Sequence, residues 1–363
     1  MKLYLSILKM SNIKEICFTS RIVKQLIPLV FVWSAHNSFA APVPSLNPSP
    51  SVPITIGECP DYSGALNLPE FNWPEKTDFD RWVSRYWSQY YSPYHMVHDV
   101  IVNPNEPIRM VGKFDYSSTV HKDLEEEYIR AYLYGTGMSD WEYLGRFKTD
   151  GDGKVNVPVN AVSSSGEFIV RMVVEGDLSS ADGFISVTAD LQDAIIFDID
   201  GTITLSDFEQ VGDYFGASVA QSWPYAQETV QAYINKGYRI IFLTGRPYWI
   251  ARDTREWFTN EINLPQWHLH TNDDGGSPLS LDAETYKREY ITYLQDELQL
   301  NIVRAYGNAD TDIAAYIDAG IPEEDIWIIG ENAGVSGTQD VGDNYIEHYD
   351  DIVIPTEDAM CRF

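Results

Sequence analysis

Short apolar segments alternate with amphipathic segments along residues 191–356, and this alternation constrains the fold more than any other feature of the sequence. Each apolar segment has the length of a buried strand, and each amphipathic segment has helical spacing. The predicted strands are AIIFDI, YRIIFLTG, QWHLHT, IVRAYGN, DIWIIG and DIVIPT, and the predicted helices are AQETVQAYINKG, WIARDTREWF, ETYKREYITYLQDEL and TDIAAYIDAG. This pattern predicts an α/β domain with a doubly wound, mostly parallel sheet, which we assign to residues 191–363.

Upstream of this domain, from about His98 to Thr188, the hydrophobic pattern has a period of two. Several short strands at regular spacing predict a β-sandwich. The segments are VGKFDY, YIRAYLYG, EYLGRF, KVNVPV, EFIVRMVVEG and FISVTA. Between two of them, TDGDGK (149–154) is interpreted as an Asp-Gly hairpin turn rather than a calcium loop, because the later acidic ligands of an EF-hand are missing.

A group of apolar side chains at helical spacing precedes the sandwich and predicts one short packed helix. Its members are Phe79, Trp82, Val83, Tyr86 and Tyr90. We assign this helix and the sandwich together to residues 76–190.

The first 40 residues have the composition of a secretory signal, because lysines and an arginine precede the apolar run LIPLVFVW and the small residues Ser38 and Ala40. The alternative is a membrane anchor, but the run is shorter than the roughly 20 residues that a bilayer requires. We expect a secreted or periplasmic protein without a transmembrane anchor in the mature chain. A Pro/Ser-rich spacer is predicted for residues 41–75. In an oxidising compartment, Cys59 and Cys361 either form a disulfide with each other or remain free thiols.

The chain is strongly acidic, with a formal net charge of −29. A field of this sign opposes approach to nucleic-acid backbones and to anionic bilayers. We therefore expect no nucleic-acid partner.

The stretch AIIFDIDGTIT places Asp198 and Asp200 at the carboxyl end of a buried strand, with Gly201 and Thr202 following. Ligands of open parallel sheets bind beyond the carboxyl ends of the strands, so both carboxylates are expected in a cleft. Two such charges are costly unless a cation is near, and Mg²⁺ takes carboxylate and phosphate oxygens. The alternative is that these residues only shape a turn and cap a helix.

Further polar residues fall at corresponding places along the chain: Thr244 follows the apolar run IIFL, Lys287 lies near the start of a helix, and Asn308 and Asp312 belong to GNADTD. A hydroxyl and an ammonium group bind phosphoryl oxygens, and the amide and carboxylate complete a metal site. Singly, each has a structural explanation as a strand-end, surface or helix-capping residue. Together they predict phosphoryl-transfer chemistry.

These motifs, DIDGTIT, GYRIIFLTGRP, Lys287 and AYGNADTDIAAY, resemble those of the haloacid dehalogenase (HAD) superfamily of phosphatases. They are most similar to the catalytic domain of lipin-type phosphatidate phosphatases and to the related C-terminal domain of phosphatidylinositol-transfer proteins. The resemblance covers roughly residues 190–356. The preceding segment resembles the immunoglobulin-like folds that accompany this domain.

The resemblance implies a catalytic set of Asp198, Asp200, Thr244 and Lys287, in which Asp198 forms an aspartyl-phosphate and Asp200 acts as general acid and base. It implies substrate contacts from Thr202, Gly245 and Arg246. It implies Mg²⁺ as cofactor, with the ligands Asp198, Asp200, Asn308 and Asp312.

The sequence leaves two residue assignments open. Arg246 either binds phosphate or pairs with an acid such as Asp253. His268 and His270 are either neutral packed side chains or part of a zinc site. The short spacing between motifs leaves little room for a lid domain, which favours a lipid or phosphoprotein over a small metabolite.

We therefore predict an exported, magnesium-dependent phosphatase that acts on a phospholipid such as phosphatidic acid or on another phosphomonoester. The first alternative is a module that binds or senses a phospholipid without hydrolysing it. The second is a protein that binds a partner through its β-sandwich.

Overall fold

The computed structural model describes residues 60–118, 120–188, 191–205, 220–264, 268–272 and 282–359. The predicted signal peptide, the first part of the spacer, Cys59 and Cys361 lie outside these ranges.

The upstream domain is a β-sandwich, as its alternating pattern predicted. Its strands are β1 (Met96–Val97), β2 (Val100–Val102), β3 (Ile108–Lys113), β4 (Asp115–Tyr116), β5 (Lys122–Asp123), β6 (Tyr128–Gly135), β7 (Glu142–Lys148), β8 (Lys154–Val159), β9 (Gly166–Val174) and β10 (Ser180–Val187). One sheet has the order β1-β3-β8, the other has the order β2-β10-β9-β6-β7, and β4 pairs with β5. The two larger sheets share a buried core that includes Met110, Val157, Ile129 and Met172.

From residue 60 onward, two helices precede the sandwich, α1 (Ser63–Leu66) and α2 (Trp82–Tyr90). Helix α2 was expected to pack along its aromatic residues, and this expectation was wrong for three of them. Trp82, Tyr86 and Tyr90 are exposed, whereas Trp87 and the preceding Phe79 pack against the sandwich core.

The downstream domain is built on one six-stranded sheet. The remaining strands are β11 (Asp193–Phe197), β12 (Arg239–Pro247), β13 (Leu269–Asn272), β14 (Asn301–Gly307), β15 (Ile326–Ile328) and β16 (Gln339–Asp340). Every neighbouring pair is parallel, and the order is β13-β12-β11-β14-β15-β16. Strand order therefore reverses between β11 and β14, and the crevice at such a reversal is where doubly wound sheets bind ligands.

The sheet is flanked by helices α3 (Ala226–Asn235), α4 (Ala251–Asn260), α5 (Ala283–Asp296), α6 (Asp310–Asp318) and α7 (Tyr345–His348). Two separate buried clusters draw on alternate strand residues. Ile195 and Phe197 join one cluster with α3 and α4, while Ala194 and Ile196 join the other with α5 and α6. Both faces of the sheet are thus covered, which explains why its strands read as continuous apolar runs.

The prediction that DIVIPT (351–356) forms a strand is wrong. Residues Tyr349–Val353 form a π-helical turn that continues α7. The Asn344 side chain accepts the backbone N–H of Ile346 and so starts a helix just before this segment. The sixth strand is β16, which is two residues long.

Buried ion pairs connect the sandwich to the α/β domain. The Arg239 Nη2 atom lies 2.7 Å from the Glu167 Oε1 atom, and both side chains are buried. The Arg255 Nη2 atom lies 2.8 Å from Asp99, whose carboxylate also accepts the backbone N–H groups of Phe184 and Leu269. Because Phe184 belongs to β10 and Leu269 to β13, one carboxylate bridges strands of the two sheets.

Within the described part of the chain, no helix combines the length and the hydropathy needed to span a bilayer.

Candidate functional site

The loop after β11 holds Asp198 at the reversal of strand order. The Asp198 N–H donates to the carbonyl of Tyr306 on β14, so the chain stays in register with its neighbour for one residue beyond the strand. Gly201 has φ of 72°, which a side chain would disfavour, and it turns the chain away from the sheet. The Trp223 indole donates to the Gly201 carbonyl at 3.0 Å and holds this turn in place.

The ammonium group of Lys287 lies between two buried carboxylates. Its Nζ atom is 2.6 Å from Asp198 Oδ1 and 2.6 Å from Asp312 Oδ1. Asp198 follows β11, Asp312 lies in α6 and Lys287 lies in α5, so three elements meet at this point. The sequence prediction that these residues converge is therefore supported by the geometry.

Burial and the charge of Lys287 shift the pKa of Asp198 in opposite directions, and burial and the two carboxylates do the same for Lys287. Burial raises the pKa of Asp198 to about 7, against the lowering effect of Lys287. Burial alone lowers the pKa of Lys287, but Asp198 and Asp312 more than compensate, so the ammonium stays charged. Burial is the largest effect on the pKa of Asp198, and the nearby carboxylates of Asp312 and Asp200 act in the same direction.

Asp312 has a second role at the start of α6. Its Oδ2 atom accepts the backbone N–H groups of Asn308 and Ala309 at 3.0 and 3.1 Å. A Cβ atom at Gly307 would come within 2.6 Å of the Asp312 Cβ atom, so a glycine is required for this approach. Asp312 is therefore both a helix-capping residue and a partner of Lys287.

The hydroxyl of Thr202 connects the two loops. Its Oγ1 atom lies 3.1 Å from Asp198 Oδ2 and 3.3 Å from Asn308 Oδ1. The Thr202 carbonyl accepts the hydroxyl of Tyr345 at 3.0 Å. Asn308 is half-buried, so one side of this arrangement reaches solvent.

Arg246 holds Asp200 with a two-point contact. The guanidinium Nε and Nη2 atoms lie 2.8 and 2.7 Å from the two carboxylate oxygens, and Nη1 donates to Thr254 at 2.8 Å. The Thr244 hydroxyl accepts the Arg246 backbone N–H at 3.2 Å and lies 3.5 Å from Asp200. Arg246 therefore pairs with Asp200, whereas Asp253 accepts a hydrogen bond from Tyr94.

All the predicted site residues lie at the carboxyl edge of β11, β12 and β14 or at the adjoining helices, including the half-buried Gly245 within β12. Trp223, Thr254 and Tyr345 complete the site, and sequence reasoning assigned none of them these roles.

The histidines are packed side chains. The His268 Nε2 atom lies 2.6 Å from the Tyr290 hydroxyl, and burial lowers the pKa of His268 well below its usual value. The ring of His270 stacks on Tyr290. Across the described ranges, no group of three or more His, Cys, Asp or Glu side chains is arranged to hold a metal ion.

Comparison with known proteins matches both domains. Residues 93–187 match the family described as "PITM 1-3, beta-sandwich domain", and residues 195–330 match "PITM 1-3, LNS2 domain". The chain therefore carries a β-sandwich domain followed by an LNS2 domain.

Several curated proteins are similar to this chain over both domains. They include human membrane-associated phosphatidylinositol transfer protein 1 (27% identity over 70% of this chain) and Drosophila melanogaster protein retinal degeneration B (27% over 65%). The matched regions cover 20% and 18% of those proteins, so the chain spans about a fifth of their length. Among solved structures, a superoxide reductase (neelaredoxin) from Ignicoccus hospitalis overlaps 26% of this chain and 78% of its own, with 13% identity and a TM-score of 0.19.

The prediction of a magnesium-dependent phosphatase is wrong. Both family matches are to PITM domains, and the similar human protein is named as a phosphatidylinositol transfer protein and not as a phosphatase. The residues behind that prediction are in place, but Arg246 occupies both oxygens of Asp200, the expected general acid.

Proposed function

On the premise that residues 195–330 form an LNS2 domain, we propose that the chain binds an anionic phospholipid of the phosphatidic acid class without hydrolysing it. The phosphate is received at the carboxyl edge of the sheet, between the loops after β11 and β14. Two observations support this place: strand order reverses there, and Asp200 and Asn308 are its partly solvent-exposed residues.

The pairing of Arg246 with Asp200 is the observation that carries the proposal. A general acid must offer its carboxyl group to the leaving oxygen, but both oxygens of Asp200 face the guanidinium fork. Arg246 is buried and its charge is matched by Asp200, so the pair adds no net charge beside the opening. An acid held in this way favours binding of a phosphate group over cleavage of its ester.

The summed charge of the ionisable side chains at this site favours a bridging cation. Asp198, Asp200 and Asp312 oppose only Lys287 and Arg246, so a phosphate would meet one excess negative charge when all five are ionised. We extend the proposal to a HAD-like fold and to Mg²⁺ as the compensating ion, which would neutralise the phosphate against the carboxylates.

The oxygens available for Mg²⁺ fit a hard cation. The Asp198 Oδ2 and Asn308 Oδ1 atoms both lie within hydrogen-bonding distance of the Thr202 hydroxyl. Both oxygens of Asp200 face Arg246, and both oxygens of Asp312 accept from Lys287 or from backbone N–H groups, so these two carboxylates would support the ion indirectly. Asp198 contacts Lys287 through Oδ1 and leaves Oδ2 beside the Thr202 hydroxyl. Asp198 and Asn308 would therefore be its ligands.

The proposal concerns lipid binding and does not extend to transfer between membranes, because the matched region covers only 20% of the similar human transfer protein. It includes export of the chain, supported by the basic and apolar pattern of residues 1–40.

The test is a calorimetric titration of the purified chain with dioctanoyl phosphatidic acid, with Mg²⁺ or with a chelator. Dioctanoyl phosphatidylcholine, glycerol phosphate and inorganic phosphate distinguish a lipid headgroup from free phosphate. We expect saturable binding of phosphatidic acid that depends on Mg²⁺, without release of inorganic phosphate.

Asn308→Ala should weaken this binding by about tenfold or more, because it removes one ligand oxygen. Asn235→Ala, at an exposed position at the end of α3, is the matched control and should have no effect. Equal binding of phosphatidylcholine, unchanged binding by Asn308→Ala, or phosphate release would contradict the proposal.

A further inference from the structure

Helix α2 presents a ridge of aromatic side chains to solvent. Trp82, Tyr86 and Tyr90 follow one another at intervals of four residues and share one helical face. Their exposed fractions are 73%, 48% and 68%, and the rings of Tyr86 and Tyr90 are in contact, with centroids 4.9 Å apart. At these fractions the ridge exposes roughly 300–400 Å² of aromatic surface, the size of the largest patch on a typical monomer.

The helix is fixed to the sandwich through a different face. Ser84 is buried, and Trp87, three residues further on, packs against the sandwich core. The backbone N–H groups of Asp80 and Arg81 both donate to the carboxylate of Glu127 at 2.9 Å, which anchors the start of the helix. The ridge is therefore held on the surface in a fixed orientation.

The helix that carries the ridge has a charge opposite to that of the chain. Residues 81–98 contain no Asp or Glu, in a protein with 54 acidic residues and a net charge of −29. Within the helix, Arg85 is exposed. At contact range, where the field of distant charges is screened, Arg85 and the absence of acidic side chains in residues 81–98 favour an anionic partner.

The segment that follows the ridge contacts the helix that comes after β12. Two residues separate Tyr90 from Pro93, so their Cα atoms are at most about 11 Å apart. The carbonyl of Pro93 accepts a hydrogen bond from Arg252, in the first turn of α4. Helix α4 follows β12, the strand that carries Thr244 and Arg246, after one 3₁₀ turn (Tyr248–Ile250).

We propose that α2 is an interfacial anchor that lies in the headgroup region of an anionic bilayer and holds the LNS2 domain at the membrane. Trp and Tyr combine an apolar ring with a polar group and are enriched at such interfaces. The exposed Arg85 adds attraction to anionic lipids. The inference rests on the proposed lipid binding, because it assigns the surface that brings the site to its ligand.

The test measures co-sedimentation of the full chain with phosphatidylcholine vesicles that contain a minor fraction of phosphatidic acid. The triple variant Trp82→Ser, Tyr86→Ser, Tyr90→Ser should bind at least about tenfold more weakly, because association scales with buried apolar area. Arg85→Gln should weaken binding by about fivefold. Tyr143→Ser, which removes an aromatic side chain that is 53% exposed on β7, is the matched control and should bind like the wild type.

A second measurement reports the contact itself. Vesicles with brominated acyl chains should quench the tryptophan fluorescence of the wild type, and Trp82→Phe should remove part of that quenching while vesicle binding is retained. Undiminished quenching in Trp82→Phe would overturn the proposal. So would full vesicle binding by the triple variant, or a change in its sedimentation velocity that shows the ridge to be a self-association surface.

Soluble lipid separates this inference from the proposed function. The triple variant should bind dioctanoyl phosphatidic acid like the wild type, because α2 is not part of the phosphate site. If the wild type fails to bind this soluble lipid, the proposed function fails, while the quenching experiment still decides on the anchor.

Discussion

Replacing Arg239 by Met tests whether the sandwich and the α/β domain form one structural unit. Arg239 begins β12 and is buried, with its guanidinium 2.7 Å from Glu167 on β9 and 2.6 Å from the side-chain oxygen of Gln192. Methionine fills a similar volume but leaves the Glu167 carboxylate buried without this cation. The Glu167 carboxylate keeps a hydrogen bond from Ser186 at 2.6 Å.

The expected loss of unfolding free energy is about 3–5 kcal/mol, because breaking a buried ion pair leaves an uncompensated charge. Adding Glu167→Gln to Arg239→Met removes that charge, so the double variant should recover most of the loss. The control is Arg288→Met, which removes an exposed pair with Asp318 at 3.8 Å and should cost less than about 1 kcal/mol.

The assay is urea unfolding followed by tryptophan fluorescence and by far-ultraviolet circular dichroism. The wild type should unfold in one transition that both signals report. Additive losses in the double variant, or a cost for Arg239→Met no larger than that of the control, would refute the view that this pair joins the domains.

Two further predictions concern stability. Burial lowers the pKa of His95 and of His348 from 6.5 to about 4, so the unfolded chain binds more protons between these values and stability falls as pH drops through that window. Each histidine should cost up to about 3 kcal/mol, measured as a shift of the urea midpoint that the corresponding glutamine variant reduces. Gly307→Ala should destabilise the chain by about 1–3 kcal/mol in thermal unfolding, because the added methyl meets Asp312. Gly151→Ala, with open space around its Cα, should be neutral, and equal effects would refute the packing argument.

The sequence predicted the sheet and the meeting of Asp198, Lys287 and Asp312 for one physical reason. In a parallel sheet, all strands end at the same edge, so residues that follow strands gather there without any knowledge of side-chain orientation. The buried strands were recognisable because residues on both faces are apolar.

Side-chain pairing could not be predicted in the same way. Whether Arg246 faces phosphate, Asp253 or Asp200 depends on rotamers and on the turn at Gly201, and spacing carries no information about either. The aromatic residues of α2 were expected to pack because they recur at helical spacing. Such spacing alone does not distinguish a buried helix face from an exposed one. The error about catalysis has a similar origin, since carboxylates, a lysine and hydroxyls are equally suited to binding a phosphate and to transferring it.

The carboxylate of Asp99 also bears on how this protein avoids joining other chains. Strand β13 is the edge of the six-stranded sheet, and the Leu269 N–H at that edge donates to Asp99 at 2.9 Å. An incoming strand would have to displace a buried carboxylate that Arg255 already holds. The contact that ties the sandwich to the sheet thereby protects this edge from the strand addition that leads to aggregation.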